Sequence, residues 1–338
     1  MTSLSAFTSI LITGGTGSFG QRFIQRICTD YKHFERIIVF SRDEYKQYLM
    51  SRKFPRSQFP QLEFQLGDVR DLERCREVFH EVDIVVHAAA LKQVDTSERN
   101  PLEFIKTNVL GAAHVIQAAQ EKKVKKIIAL SSDKAVNPNS LYGASKLCAE
   151  KLFLQAAESR LSGDSIFALV RYGNVLATRG SVIPHFLVER KNEVLSITHP
   201  QMTRFSVPIG VESATVIFAI EYSQGGEIFI PKSPSYRISD VAKAVCPDCV
   251  QKVIGLRPGE KLKEDLIDQT EIARTFDLGS MYVIFPSEEG KKTDHLKDLQ
   301  KVSDDFEYAS DNNPDWLSID DIRTQIDIYL ENPDLSEF

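Results

Sequence analysis

The sequence lacks the features that would place the chain in a membrane or on nucleic acid. In 338 residues, no apolar run approaches the roughly 20 residues that a membrane-spanning helix needs. Positive charge is not in excess either, since 41 Lys and Arg face 47 Asp and Glu. The first residues have no basic stretch ahead of an apolar core, so they do not indicate a secretory signal peptide. We therefore expect a cytoplasmic protein with no nucleic-acid partner and no membrane partner.

Cysteine is also scarce, with five in the chain, and two of them form the CxxC pair Cys246 and Cys249. A zinc site needs about two more soft ligands at a matching spacing. The other cysteines are scattered, and no histidine cluster completes such a set. A metal or redox role for the pair is one interpretation, and two reduced thiols near a helix end is the simpler one. No metal site is predicted.

Short apolar runs rich in β-branched residues alternate with helical patterns in the first half of the chain. The predicted strands are Ser9–Thr13, Arg36–Phe40, Leu62–Leu66, Asp83–His87, Lys126–Leu130 and Ile166–Arg171. The clearest helix is predicted over Pro101–Lys122, with one apolar face formed by Ile105, Val109, Ala112, Ile116 and Ala119. This alternation predicts the α/β class, with a doubly wound parallel sheet (Rossmann).

The alternation weakens after Asn174, where long irregular stretches with Pro and Gly begin. We predict a smaller, mixed substrate-binding lobe there. The predicted cofactor-binding domain covers residues 1–178 and roughly 206–232, and the predicted lobe covers 179–205 and 233–338.

Glycines follow the first predicted strand directly and precede a helical pattern. Glycine permits a tight turn and a close backbone approach to a pyrophosphate, and the helix N-terminus favours its negative charge. The context of strand, loop and helix predicts a dinucleotide site. The predicted contacts in this loop are Gly14, Thr16, Gly17, Ser18, Phe19 and Gly20.

The end of the second strand bears on which cofactor binds. NAD-binding folds usually place an acidic residue here, on the ribose hydroxyls. This strand instead ends in Ser41 and Arg42, a hydroxyl and a guanidinium that suit the 2′-phosphate of NADP, although the adjacent Asp43 would favour NAD. We predict NADP. Other predicted cofactor contacts follow the third and fourth strands: Asp68, Val69, Ala88, Ala89 and Ala90.

Two pairs of polar residues are candidates for catalysis. Tyr142 and Lys146 are one helical turn apart, so both face the same way. A nearby ammonium and an oxidised nicotinamide would lower the pKa of the phenol, making Tyr142 a usable base for a sugar hydroxyl. Asp133 and Lys134 directly follow a predicted strand, at the sheet edge where such folds bind ligands.

The motifs TGGTGSFG, GDVRD, HAAALK, KTN, LSSDKA, YGASK and RYGNV resemble those of the extended short-chain dehydrogenase/reductase superfamily. The motifs SRDEYKQ, SSDKAVNP, RGSVIP, MTRF and RPGEKL are more closely similar to those of the soluble inverting UDP-N-acetylglucosamine 4,6-dehydratases, the pseudaminic acid pathway type. This resemblance covers nearly the whole chain, including FEYASDNNPDWLS near its end.

The resemblance implies an NADP-dependent dehydration in which Tyr142 takes the O4 proton of the sugar and C4 passes a hydride to NADP. Ser132 would hold the hydroxyl position of the superfamily's Ser-Tyr-Lys set. Retaining dehydratases of this superfamily have an Asp-Glu pair where this chain has Asp133 and Lys134. Lys134 would therefore be the base for the C5 proton and Asp133 the acid for the departing 6-hydroxyl. Lys134 must then act neutral and Asp133 protonated, and Lys146 and the nicotinamide are positive neighbours that would lower the pKa of Lys134.

The resemblance also implies the ligand contacts and the product. Lys92, Asn174, Tyr142 and Lys146 would contact the cofactor, and the UDP-sugar contacts would be Lys92, Asn174, Ser181, Val182, Thr198, Arg204, Arg257, Glu260 and Tyr308. The product would be UDP-2-acetamido-2,6-dideoxy-β-L-arabino-hex-4-ulose, for a pseudaminic acid-like sugar or a surface glycan. A homo-oligomer such as a hexamer is implied. Alternatives are a retaining 4,6-dehydratase or a 4-epimerase on another nucleotide-sugar, or a non-catalytic NADP-sensing protein.

Overall fold

The computed structural model describes residues 3–159, 165–175, 181–287 and 299–331. The strands are β1 Ser9–Thr13, β2 Arg36–Ser41, β3 Leu62–Leu66, β4 Ile84–His87, β5 Lys126–Ser132, β6 Ile166–Tyr172, β7 Asn174–Val175, β8 Val194–Ile197, β9 Thr203–Val207, β10 Ile228–Pro231, β11 Ser235–Arg237, β12 Val250–Val253, β13 Thr275–Asp277, β14 Met281–Ile284 and β15 Gln300–Lys301. The α-helices are α1 Ser18–Asp30, α2 Glu44–Lys53, α3 Leu72–Val78, α4 Val94–Arg99, α5 Pro101–Phe104, α6 Gly111–Glu121, α7 Leu141–Glu158, α8 Val182–Glu189, α9 Val211–Tyr222, α10 Ile238–Val245 and α11 Ile319–Glu331.

A ten-stranded sheet forms the centre of the molecule, in the order β15-β13-β14-β10-β6-β5-β4-β1-β2-β3. The strands from β3 to β10 in that order pair in parallel, and β13, β14 and β15 add an antiparallel edge. The chain starts in the middle of the sheet and winds outward in both directions from β1. The predicted fold class, a doubly wound parallel sheet, is confirmed, and each of the six predicted strands is present.

Helices cover both faces of the sheet. Successive residues of a strand point to opposite faces, so each strand packs against helices on both sides. In β1, Ile10 and Ile12 pack toward α1 and α9, and Leu11 packs toward α6 and α7. Both sets are fully buried. The parallel strands are therefore apolar on both faces, which is why the sequence shows them as continuous apolar runs.

The smaller lobe has a core of its own, built from apolar residues of α8, β8, α10 and α11. It carries two small sheets, β11-β9-β7 and β12-β8. The domain boundaries stay a prediction. β13, β14 and β15 extend the main sheet, although their residues were assigned to the lobe. Residues 176–180, which contain the predicted boundary and Arg179 and Gly180 of the RGSVIP motif, lie outside the described residues.

The helix predicted over Pro101–Lys122 is interrupted by a π-helical segment, Ile105–Leu110, between α5 and α6. The wider turn shifts the helix register, so the predicted apolar face is wrong in its first half: Ile105 is 39% exposed. Thr107 and Asn108 are buried instead. The Asn108 amide bonds both the Leu91 backbone and the Ser145 hydroxyl, which ties the loop after β4 to α7.

The CxxC pair closes a disulfide between Cys246 and Cys249 at the end of α10, with a Cα–Cα distance of 5.4 Å. This corrects the interpretation of the pair as two reduced thiols. Among the described helices, none is long and apolar enough to cross a membrane.

Candidate active site

A cleft of about 770 Å³ lies between the carboxyl ends of the central strands and the smaller lobe. Its size falls within the range of small-molecule sites. The predicted residues that line it are Ser18, Phe19, Lys92, Ser132, Asp133, Lys134, Tyr142, Asn174, Ser181, Val182, Thr198, Arg204, Arg257 and Glu260. The structure thus brings together groups spread over more than 240 positions of the sequence, from Ser18 to Glu260.

The Asp133-Lys134 pair forms a single 3-10 turn, Asp133–Ala135, at the end of β5. The Ser132 hydroxyl donates to Asp133 Oδ1 at 2.7 Å, and Lys134 Nζ donates to Asp133 Oδ2 at 2.9 Å. Lys134 Nζ also donates to Asn174 Oδ1 at 3.0 Å. Asp133 is 1% exposed, whereas the Lys134 side chain is 20% exposed and faces the cleft. Both side chains of the pair therefore face inward, so the pair differs from the exposed ion pair that an ordinary surface loop would carry.

Tyr142 lies in the first turn of α7, whose N-terminus is capped by the Ser140 hydroxyl. Gly143 lets this helix pack directly on the turn that carries Lys134, because a Cβ at this position would collide with the Lys134 carbonyl oxygen. The glycine of YGASK thus sets the position of the phenol relative to the amine.

On balance, the protein groups around Tyr142 and Lys134 raise both pKa values, and the lowering expected from an oxidised nicotinamide stays a prediction. Burial raises the pKa of the Tyr142 phenol, and the Ser132 hydroxyl and the Lys134 ammonium only partly offset it. Burial acts to lower the pKa of Lys134, but the carboxylates of Asp133 and Glu264 outweigh it and raise the pKa. The site therefore stabilises the protonated amine.

Lys146 lies behind the cleft rather than on its wall. It is 7% exposed, and its ammonium donates to the Leu130 carbonyl at 2.7 Å. Burial lowers the pKa of Lys146 to about 8. The predicted helical spacing places Lys146 one turn beyond Tyr142, but its closest polar partner is the β5 backbone.

The glycine loop has the form that a pyrophosphate requires. Gly14 has φ +65°, and a Cβ there would come within 2.8 Å of Ala89 Cα, so the loop after β1 and the alanines after β4 are in close contact. Gly17 is the N-cap of α1 and makes no side-chain capping bond, so it leaves the first N–H groups of that helix for another acceptor. Thr16 is buried, and Ser18 and Phe19 continue from this loop into the cleft. These residues fit a dinucleotide.

At the end of β2, the three side chains relevant to cofactor choice have different partners. The Asp43 carboxylate caps α2 by accepting from Lys46 N at 3.0 Å. The Ser41 hydroxyl is buried and accepts from the Gln47 amide at 3.1 Å. Arg42 is half exposed and lies 3.5 Å from Asp68. The side chains of Arg42 and Asp43 are 50% and 43% exposed, so Ser41 is the one of the three that is buried.

Two of the predicted substrate residues are paired with each other at the rim of the cleft. Arg257 Nε donates to Glu260 Oε1 at 2.9 Å, and Arg257 also lies 3.5 Å from Asp95 of α4. The Arg257 side chain is 54% exposed. Inside the cleft, the buried Ser181 hydroxyl has no hydrogen-bond partner among the described residues, so a polar ligand group would satisfy it.

The prediction that Tyr308 lines the substrate pocket is wrong. Tyr308 is 4% exposed and packs on Phe205 and Tyr282, with ring centroids 4.9 and 5.0 Å apart. Its hydroxyl accepts from the Ser233 backbone N–H at 2.9 Å. Tyr308 therefore belongs to the core that joins the lobe to the main sheet.

Sequence reasoning missed Glu264, which lies on the cleft wall and is 1% exposed. Its Oε1 is 3.3 Å from Lys134 Nζ and 3.6 Å from Arg204 Nε. Glu264 lies in the charged stretch EKLKED, which gives no local signal that one of its carboxylates is buried.

Residues 10–286 match the model of a family described as polysaccharide biosynthesis protein. The curated UDP-N-acetylglucosamine 4,6-dehydratase (inverting) of Campylobacter jejuni is 44% identical over 319 residues, which cover 92% of this chain and 94% of the relative. The UDP-glucose 4-epimerase of Rickettsia bellii is 43% identical over 283 residues, which cover 82% of each chain. These relatives confirm the resemblance that the motifs indicated.

The solved structures agree on the fold. Pen from Bacillus thuringiensis has a TM-score of 0.87 and 34% identity, with 97% of this chain and 98% of that chain covered. The dTDP-glucose 4,6-dehydratase of Streptomyces venezuelae, solved with NAD bound, has a TM-score of 0.71 and covers 97% of this chain and 99% of that chain. At 18% identity, the second likeness shows the fold alone.

Proposed function

Because the chain belongs to the polysaccharide biosynthesis protein family, we propose that it is an NADP-dependent, inverting UDP-N-acetylglucosamine 4,6-dehydratase. The single observation that carries the proposal is the Asp133-Lys134 pair inside the cleft, packed against the helix that holds Tyr142. Oxidation at C4 needs one base, whereas loss of water across C5 and C6 needs a second base and an acid. This cleft holds groups for both steps. The product would serve the synthesis of a bacterial sugar or surface glycan.

Each side chain has a role set by its place in the cleft. Tyr142 accepts the O4 proton. Lys134, whose ammonium donates to Asp133 Oδ2 at 2.9 Å, first gives up its proton and then removes the C5 proton as a neutral amine. Asp133, held by Ser132 and Lys134, protonates the departing 6-hydroxyl. When bound, the nicotinamide cofactor would supply the hydride acceptor for C4 and the hydride donor for C6. A proton added to C5 from the opposite face would complete the reduction and invert that centre. Ser181, Arg204 and Arg257 are placed to bind the sugar nucleotide, with the guanidinium groups suited to its diphosphate.

NADP rather than NAD is supported by the partners of the side chains at the end of β2. The Asp43 carboxylate is engaged in capping α2, while Arg42 presents its guanidinium at the surface. Arg42→Ala should therefore weaken NADP binding by about 1.5–3 kcal/mol and leave NAD binding nearly unchanged. Titration calorimetry with both cofactors measures this difference. Equal losses for the two cofactors would contradict the assignment.

The reaction itself is tested by incubating the enzyme with UDP-N-acetylglucosamine and following the product by proton NMR. We expect a 4-keto-6-deoxy sugar with the L-arabino configuration, inverted at C5. A D-xylo product at the earliest time points would show that the enzyme retains that centre. The homo-oligomer stays a prediction that sedimentation velocity would test.

A 4-epimerase is the second candidate, because UDP-glucose 4-epimerases are among the relatives at 43% identity. An epimerase would use Tyr142 and has no step that requires Lys134 as a base. Mass spectrometry separates the two activities, since dehydration removes one water from the substrate and epimerisation leaves its mass unchanged.

A further inference from the structure

Glu264 is a buried carboxylate surrounded by three cationic side chains. Its Oε1 faces Lys134 at 3.3 Å and Arg204 at 3.6 Å, and its Oε2 faces Lys261 at 3.5 Å. Glu264 is 1% exposed and lies on the wall of the cleft. Removing a carboxylate from such a site would leave three nearby positive charges facing one another with less compensation.

The three cations differ in how much they depend on Glu264. Arg204 is also held by the carbonyls of Thr203 and Leu262, at 2.7 and 3.3 Å. Lys261 donates to the Val136 carbonyl at 2.7 Å. Each therefore has a backbone anchor of its own, and the Lys261 anchor lies just after the turn that carries Lys134.

Among the described residues, the partners of the Lys134 ammonium are all side chains. Its ammonium contacts Asp133, Asn174 and Glu264, and each of these lines the cleft. Asp133 precedes it in the chain, Asn174 follows β6, and Glu264 comes from the segment between β12 and β13. Of the two carboxylates, Glu264 is the one that no step of the proposed reaction already uses.

We infer that Glu264 is a positioning residue for Lys134, holding its ammonium over the cleft and controlling when that amine gives up its proton. The inference rests on the proposed function, in which Lys134 acts as a neutral base. Oε2 of Glu264 is buried and makes no hydrogen bond among the described residues, and the Lys261 ammonium lies 3.5 Å from it.

The direction of the effect follows from the charges that face Lys134. These are the carboxylates of Asp133 and Glu264, the guanidinium of Arg204 and the phenols of Tyr142 and Tyr236. Glu264 favours the ammonium, so its replacement by Gln should lower the pKa of Lys134. More of the neutral amine is then present at a given pH, and the acidic limb of the rate profile should move to lower pH.

The test uses Glu264→Gln, which keeps the shape of the side chain and removes its charge. The reactivity of Lys134 toward acetic anhydride is measured across pH by mass spectrometry of the modified peptide, without substrate. We expect Lys134 in the variant to react about tenfold faster at a fixed pH below its pKa for each pH unit by which that pKa falls. The control is Glu227→Gln, which removes a buried carboxylate outside the cleft and should leave the reactivity of Lys134 unchanged.

Unchanged reactivity in a folded Glu264→Gln protein would overturn the inference. If that variant does not fold, Glu264→Asp is measured instead. It retains the charge and should keep the reactivity of Lys134 near the wild-type value, and a clear acceleration in Glu264→Asp would also overturn the inference. The pH profile of product formation then separates the two proposals. Faster acylation of Lys134 in Glu264→Gln, with no shift in the acidic limb of the rate profile, would support the role of Glu264 and contradict the role of Lys134 as the base.

Discussion

Two buried ionic networks lie close together in this molecule, and one is closed while the other opens to the cleft. In the closed network, Arg171 on β6 is 2% exposed and bonds Glu150 of α7 and Glu271 through both carboxylate oxygens of each. Its guanidinium also donates to the Leu266 carbonyl at 2.9 Å. In the open network, Lys134 is 20% exposed and contacts Asp133, Asn174 and Glu264.

The difference between the networks lies in which cation each one uses. A guanidinium does not lose its proton in proteins. Burial acts to lower the pKa of Arg171, but the carboxylates of Glu150 and Glu271 outweigh it and raise that pKa well above its usual range. Lysine can lose a proton, and the Lys134 amine faces a space that a ligand can enter. The closed network therefore stabilises the fold, and the open one has the properties of a reaction site.

One segment of chain connects the two networks. Glu264 lines the cleft and contacts Lys134, while the Leu266 carbonyl and the Glu271 carboxylate bind Arg171. Glu264 and Glu271 are only seven positions apart in the chain. The closed network thus anchors the segment that presents Glu264 to the cleft.

The largest expected effect is in the open network. Lys134→Ala should reduce turnover by about 10²–10⁴-fold, the usual cost of removing a general base. Oxidation at C4 should still occur because Tyr142 is intact, so near-ultraviolet absorbance of reduced cofactor should accumulate with little product. Tyr142→Phe is the matched variant and should show no such absorbance. Near-normal turnover in folded Lys134→Ala would remove Lys134 from the mechanism.

The closed network should respond mainly in stability. Arg171→Met leaves two buried carboxylates without their partner and should lower the free energy of unfolding by about 3–5 kcal/mol, measured in urea. Arg323→Met, which breaks an exposed pair with Asp320 on α11, is the control and should cost less than about 1 kcal/mol. Similar losses in the two variants would show that the Arg171 network contributes no more than a surface pair.

The smallest expected effect concerns the contact between the open network and α7. Gly143→Ala adds a methyl group that collides with the Lys134 carbonyl, so we expect a loss of about 1–3 kcal/mol in stability together with slower turnover. In Gly111→Ala, the new methyl would meet a Val69 side-chain carbon at 2.9 Å, and a side chain can move aside more easily than backbone. Full activity in Gly143→Ala would show that this spacing is not critical.

The sequence alone determined the central sheet, the glycine loop and the place of the Asp133-Lys134 turn. These features depend on neighbouring residues, because apolar periodicity, glycine at a tight turn and polar residues at a strand end are local signals. The same logic failed at Ile105, where a π-helical turn shifts the helix register without a clear local signal.

Only the tertiary structure decided the partners of those residues. It brought Glu264 to within 3.3 Å of Lys134 across 130 positions of the chain, and it buried Tyr308 in the core. It also set the protonation of the site, since the carboxylates of Asp133 and Glu264 outweigh burial and raise the pKa of Lys134. Burial and charge depend on distances through space, and a sequence pattern records only distances along the chain.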